Sequence, residues 1–160
     1  MSYGGEGADI GFETAHGRDW PSIRQFNVFV ENRLGGLLSV VSRFEMTDIR
    51  IVSLMIIDST DCAIIRMVLS APERAVEVFQ QANLPFTESD LLVVQLPSGD
   101  QPLIDICKSL LVAEINVHYA YPILVGPAAA LALYVEDHEA AARTLQSRGF
   151  TLYSEEDFER

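Results

Sequence analysis

From residue 23 onward the apolar positions fall into short blocks whose period changes. In "IRQFNVFVE" (23–31), Phe26, Val28 and Val30 alternate with other positions, the two-residue repeat of a half-buried strand. After the paired glycines Gly35 and Gly36, residues Leu37, Val40, Val41 and Phe44 recur at i, i+3, i+4 and i+7, which predicts an amphipathic helix. "DIRIVSLMIID" and "CAIIRMVLS" are β-branched runs separated by Ser59, Thr60 and Asp61, and they predict a hairpin. Ser70-Ala71-Pro72-Glu73 predicts a capping box with proline in the first helical turn. Ala75, Val76, Phe79 and Ala82 continue that helix, Asn83 suits the left-handed conformation that ends it, and the chain is extended again from Pro85. The predicted order is βαββαβ.

The same order recurs further along. An offset of 66 residues (37 + 66 = 103) aligns the second half without a gap. Leu37 meets Leu103, Val40 meets Ile106, Val41 meets Cys107 and Phe44 meets Leu110. Ala75 meets Ala141, Phe79 meets Leu145, Asn83 meets Gly149, and the hairpin Thr60-Asp61 meets Gly126-Pro127. Coincidence of stripes, turn and helix-ending residue in one register predicts a duplicated α+β unit. The expected limits are an irregular tail over 1–21, a first unit over 22–90 and a second over 91–160. Phe12 and Trp20 are the residues placed to pin the tail to the body. "FTESDLLVVQLP" must finish one unit and begin the next, so the two are expected to pack together.

Composition narrows the function classes. A chain of 160 residues, nearly half of them apolar, can bury a real core, and its formal net charge is −12. A nucleic-acid partner needs a cationic face, and an anionic membrane surface is disfavoured for the same reason. Cys62 and Cys107 sit in apolar contexts with no metal-ligand spacing to His16, His118 or His138, so both are expected in or near the core, with no metal and no cofactor. No stretch resembles a signal peptide, and the apolar runs are too short to span a bilayer; a cytoplasmic protein is the expectation.

The loop Glu31-Asn32-Arg33-Leu34-Gly35-Gly36-Leu37 between the first strand and helix resembles that of the ACT domain family, where the pattern is roughly Asn-x-Pro-Gly-x-Leu. Leu34 stands where proline is usual. "TDIRI" and "AEINV" are similar to the family's entry into strand two, and "INVHYAY" is similar to the second unit of tandem ACT proteins. The resemblance covers about residues 23–158. It implies two ferredoxin-like units and a regulatory role in which an amino acid is bound where modules abut, with no catalysis. It also implies a homo-oligomer and a metabolic enzyme as partner. Because the chain shows no catalytic domain, that enzyme is expected on a separate polypeptide. In the second copy Ser98 lies where Asn32 does and Gln101 where Gly35 does, which puts its site in doubt.

The chemistry of the loop fits a zwitterion. Unpaired N–H groups at a helix start favour a carboxylate, glycines let a ligand approach the backbone, and an asparagine offers both donor and acceptor. The implied ligand-binding residues are Asn32, Arg33, Leu34, Gly35, Gly36 and Leu37, with Asp48 receiving the ammonium group and Asn116 and His118 as the wall from a neighbouring unit. Simpler roles stand beside these: a tight turn for the glycines, a helix cap for Asn32, a solvated helix end for Asp48, outward strand positions for Asn116 and His118. Tyr119 and Tyr121 suit sheet or interface packing, and Glu155-Glu156-Asp157 a solvated tail. Two rivals remain. One is a ligand-free dimerisation module built on an exposed strand edge. The other is an acylphosphatase-like enzyme using Arg33 with Asn32 or Asn116, which the acidic charge and the lack of a nucleophile–base pair disfavour.

Overall fold

The computed structural model describes residues 20–159; the remainder of the expected tail, Phe12 included, lies outside them. The first strand, β1, runs Ile23–Glu31 and leads through the glycine loop to α1, Gly36–Val41, which tightens into a 3-10 turn over Ser42–Phe44. Then come β2 (Ile51–Asp58), β3 (Cys62–Leu69), α2 (Pro72–Gln81) and β4 (Phe86–Gln95). The second series is α3 (Pro102–Val112), β5 (Val117–Val125), β6 (Ala128–Val135), α4 (His138–Ser147) and β7 (Leu152–Tyr153), closed by a 3-10 turn at Glu155–Asp157. An offset of 66 carries the starts of α1, β2, β3, α2 and β4 onto those of α3, β5, β6, α4 and β7. Both helix-ending residues are left-handed, Asn83 at φ 54 and Gly149 at φ 85.

All strands join one antiparallel sheet in the order β2-β3-β1-β4-β6-β5, with β7 also on β4. The ten-residue β4 belongs to both halves. Phe86–Leu91 pair with β1, and Leu92–Gln95 pair with β6, where Val93 and Val94 also pair with β7. Each half therefore has the same order, β2-β3-β1-β4 and β5-β6-β4-β7. These are two ferredoxin-like units in tandem.

Three cores hold them. Phe26, Val28, Ile65 and Met67 face α1 and α2, where Phe26, Phe44, Phe79 and Phe86 meet edge to face or tilted, with centroids 5.2–5.9 Å apart. Leu92, Val94 and Leu133 face α3 and α4, and Trp20 packs on that cluster. The third core contains no helix residue. Ile23, Val68 and Leu91 on one side meet Tyr121, Ile123 and Ala132 on the other, so the helix-free faces of the two sheets stack on each other. The layers run helix, sheet, sheet, helix.

A polar seam crosses this third core. Gln25, fully buried, donates from Nε2 to Asn27 Oδ1 and to the Tyr119 hydroxyl, both at 2.8 Å. The Tyr121 hydroxyl donates to Gln25 Oε1 at 2.7 Å, and burial pushes its pKa far above the ordinary phenol range. Asn27 Nδ2 donates to Ser89 Oγ at 2.9 Å and Thr87 Oγ1 at 3.2 Å.

Several local expectations change. Ser70 does not cap α2, whose N-cap is Ala71; the Ser70 hydroxyl instead accepts from the Arg50 N–H at 2.8 Å, because strand pairing already holds Ser70 beside Arg50. Cys62 is half-buried, but Cys107 is exposed, since the buried face of α3 is Ile106, Ser109 and Leu110. Glu155 is not part of a solvated tail. It accepts from the Arg24 N–H at 3.1 Å and lies 3.4 Å from Arg24 Nε, with the two side chains only 11% and 7% exposed.

Arg24 also meets Glu73 at 3.4 Å and Glu88 at 3.9 Å. Burial raises the Glu88 pKa from its ordinary 4.5; Arg24 pulls it down, while Asp90, Glu155 and Glu73 push it further up. With its folded pKa above the unfolded one, Glu88 binds more protons in the folded state, so its contribution to stability falls as pH rises through the window above 4.5. Glu88→Gln is therefore expected to raise the thermal midpoint slightly at pH 7 and to leave it unchanged well below pH 4.5. A lowered midpoint at pH 7 would show that attraction to Arg24 outweighs burial.

Candidate functional site

Between β1 and α1 the chain turns within Asn32–Gly35. The Arg33 N–H donates to the Glu31 carbonyl at 2.9 Å and the Gly36 N–H to the Arg33 carbonyl at 3.1 Å. The two glycines do different work. Gly35, at φ 83 and ψ 0, holds a left-handed conformation that costs a side chain strain, and a Cβ placed there would meet nothing within 4 Å. Gly36 is needed by the chain itself, because a Cβ there would lie 3.3 Å from the Glu31 carbonyl oxygen. The open side of the loop is at Gly35.

Asn32 ties the loop to the β2–β3 hairpin of its own unit. Its Nδ2 donates to Asp58 Oδ1 at 2.7 Å and to the Ser59 carbonyl at 3.0 Å, which leaves its Oδ1 as an acceptor. Register explains the meeting: Glu31 pairs with Cys62, so the hairpin must lie beside residues 31–33. Asp58 is thus a carboxylate at the loop that periodicity did not pick out; the predicted hairpin was the signal that could have found it. Arg33 is exposed and lies 3.5 Å from Glu31. No side chain caps α1, and its first turn holds no acidic residue, so its leading N–H groups are uncompensated. With only six residues its dipole is short.

Leu34, Leu37 and Leu38 are exposed, as are Leu54 and Ile56 on β2. Leu54 and Ile56 pair with Met67 and Ile65 of the helix-facing core, so they lie on the same side of the sheet as α1. Together these leucines and Ile56 form an apolar strip around the loop and along the edge strand.

The other expected site residues stand apart within one chain. Asp48 follows α1 and is bonded to Arg74 of α2 at 2.5 Å, and that hydrogen bond holds its carboxyl below the ordinary range. It lies near the Arg50–Ser70 contact, at the far end of β3 from Cys62. Eight residues of β3 span roughly 26 Å, so Asp48 and the loop sit at opposite ends of the unit. Asn116 and His118 are exposed at the start of β5, where His118 packs 5.4 Å from the Tyr134 ring. Among the described residues no hydrogen bond joins either to the loop. Tyr119 and Tyr121 lie in the sheet–sheet seam.

The second unit's loop is built differently. Gln101, at the position of Gly35, is extended (φ −134), α3 begins with Pro102, and the only left-handed residue in that loop is Gly99, at φ 139. Among the described residues no cluster of His, Cys, Asp and Glu could hold a metal, and no helix is long and apolar enough to cross a membrane.

A family model described as an ACT domain pair matches residues 21–159. No curated protein matches the chain. Among solved structures, the chain is similar to protein BT0572 from Bacteroides thetaiotaomicron, with TM-score 0.81 at 18% identity over 89% of this chain and 99% of that one. It is also similar to the ligand-free regulatory subunit of aspartate kinase from Thermus thermophilus, with TM-score 0.53 at 11% identity over 82% and 95% of the two chains. At these identities the likeness is one of fold.

Proposed function

The chain belongs to the family of ACT domain pairs, and from that premise we propose that it is a non-catalytic regulatory module that binds an amino acid at the Asn32–Leu37 loop. The units divide at residues 90 and 91, inside β4, where pairing passes from β1 to β6. What carries the reading is the loop itself. Gly35 presents bare backbone to open space, α1 is uncapped, and Asn32 Oδ1 with Asp58 supplies acceptors beside them. An α-carboxylate suits the N–H groups and Gly35, an α-ammonium suits Asn32 and Asp58, and an apolar side chain suits Leu34, Leu37 and Leu38. Asp58 takes the role first given to Asp48, which Arg74 occupies.

One chain supplies only one wall. The apolar strip of α1 and β2 supports a second copy as the other, in a homo-oligomer whose occupancy a metabolic enzyme would sense. Edge strand β2 has no charge from Ile51 to Ile57, whereas edge strand β5 carries Pro122, which removes a donor from its free row. Pairing through β2 is therefore favoured over β5. In such an assembly Asn116 and His118 would belong to a different surface from the loop. The acylphosphatase-like alternative loses support, since Arg33 is paired with Glu31 and Asn32 with its hairpin.

A thermal-shift panel of the twenty amino acids tests this. A hundredfold excess over Kd adds about 2.7 kcal/mol, on the order of 8 °C for a chain of this size. Gly35→Asn, which tolerates a left-handed backbone, should abolish the shift with little loss of basal stability. No response to any amino acid, with a dimer persisting at nanomolar concentration, would make assembly alone the function.

A further inference from the structure

The helix-free face of the first unit carries a cation that nothing in the fold neutralises. On that face Met55, Arg66, Asn27 and Thr87 stand side by side across four strands, each the register partner of the next. One step toward the β2–β3 hairpin lie Ile57, Ile64 and Phe29, likewise partners. These three are half-buried yet belong to none of the three cores. From the other sheet, Tyr119 reaches over: the Arg66 guanidinium carbon lies 3.9 Å from its ring centroid.

Arg66 has no carboxylate within ion-pair distance among the described residues. Its Nε is sealed from solvent and has no hydrogen-bond partner, while its two terminal nitrogens are neither sealed nor bonded. Arg24, Arg50 and Arg74 are by contrast engaged by glutamates, by the Phe158 carbonyl and by Asp48. The neighbouring amides are already spent. Gln25 Oε1 accepts from Tyr121, Asn27 Oδ1 accepts from Gln25, and the Tyr119 oxygen accepts from Gln25. What is left over beside Arg66 is a further donor, the Tyr119 hydroxyl hydrogen. Donors without acceptors, next to a fixed positive charge, describe a receptor for an anion.

We infer that this face binds a small monocarboxylate with a short apolar tail. The ring of Tyr119 holds the guanidinium flat, so its terminal N–H groups form a planar fork that a planar carboxylate accepts in two places. The Tyr119 hydroxyl supplies a third bond, and Ile57, Ile64 and Phe29 receive the tail. A doubly charged phosphate is disfavoured by the field of a protein with net charge −12. This site lies on the opposite face of the sheet from α1 and does not depend on the loop. Because Arg66 belongs to one unit and Tyr119 to the other, its ligand bridges the sheets.

The test follows the Arg66 Nε–H resonance of the full chain by NMR. Acetate, 3-phenylpropionate and neutral 3-phenylpropionamide are titrated at constant ionic strength. The expected result is a saturable shift with both acids, about tenfold tighter for 3-phenylpropionate because its ring is buried, and none with the amide. Tyr119→Phe should weaken binding about tenfold through loss of one bond to a charged acceptor. Arg66→Lys, which keeps charge and stem but not the fork, should weaken it at least as much, and Gly35→Asn should leave it unchanged. Shifts that stay linear in acid, an amide that binds equally, or loss of binding in Gly35→Asn would overturn the proposal. So would a shift that tracks protein concentration in the absence of acid, which would assign the face to a second copy.

Discussion

Arg24→Met is expected to lower the free energy of unfolding by about 3 kcal/mol, near the bottom of the range for breaking a buried ion pair. The loss is not larger because Glu73 and Glu88 are exposed enough to regain water when the cation goes, with side chains 63% and 42% accessible. Glu155 cannot do so without moving. Its segment is anchored at both ends, by the Ser154–Asp157 capping box and by Phe158, which is buried in the sheet–sheet core and whose carbonyl accepts from Arg50 at 2.7 Å. The local signature should therefore precede the global one: amide exchange at residues 154–158 should quicken more than exchange in β1 or β4. Glu155→Gln, which keeps an acceptor for the Arg24 N–H, should cost less. Denaturant titration checks both, and an Arg24→Met protein as stable as the parent would show that the carboxylates' mutual repulsion cancels their attraction to Arg24.

Gln25→Met is expected to cost a similar amount, about 3 kcal/mol, by leaving the buried Tyr121 hydroxyl without an acceptor and stripping donors from Asn27 and Tyr119. The swap nearly conserves volume, so packing loss is small. Removing the orphaned hydroxyl as well tests the cause: Gln25→Met with Tyr121→Phe should be more stable than Gln25→Met alone, by about 1–2 kcal/mol. Equal stabilities would mean that the seam tolerates an unpaired phenol and that the loss comes from elsewhere in the core. The residues coupled here, Gln25 and Tyr121, lie in different units, so the same cycle measures how firmly the two sheets are joined.

How much of this was legible depends on what each pattern can carry. The duplication was legible because Asn83 and Gly149, the apolar stripes and the hairpins all obey one offset, and local backbone chemistry sets each of them. The stacking of the sheets was not. Gln25, Asn27 and Arg66 alternate with Phe26, Val28 and Met67 as outward positions do, and a period of two cannot distinguish water from another sheet. The apolar weight of residues 120–135 pointed to burial between sheets or subunits without naming the partner face. In the loop, the glycines and Asn32 were readable from type and order. Asp58 enters only through strand register, and Asp48 was displaced because a helix and a full strand length separate it from the loop. Ser70 had two bonding choices, and only the approach of Arg50 decided between them.

Strand β4 carries a last consequence. Since its first six residues complete one unit and its last four begin the other, there is no place to sever the molecule and obtain two whole modules. A cut at 90 would leave the second piece with an intact central strand but no covering for its stacked face, and the first with a truncated rod. A twist imposed on one end of that rod has no slack linker in which to dissipate. Lineages carrying this design inherit it as a single indivisible part, and whatever one lobe senses is mechanically present in the other.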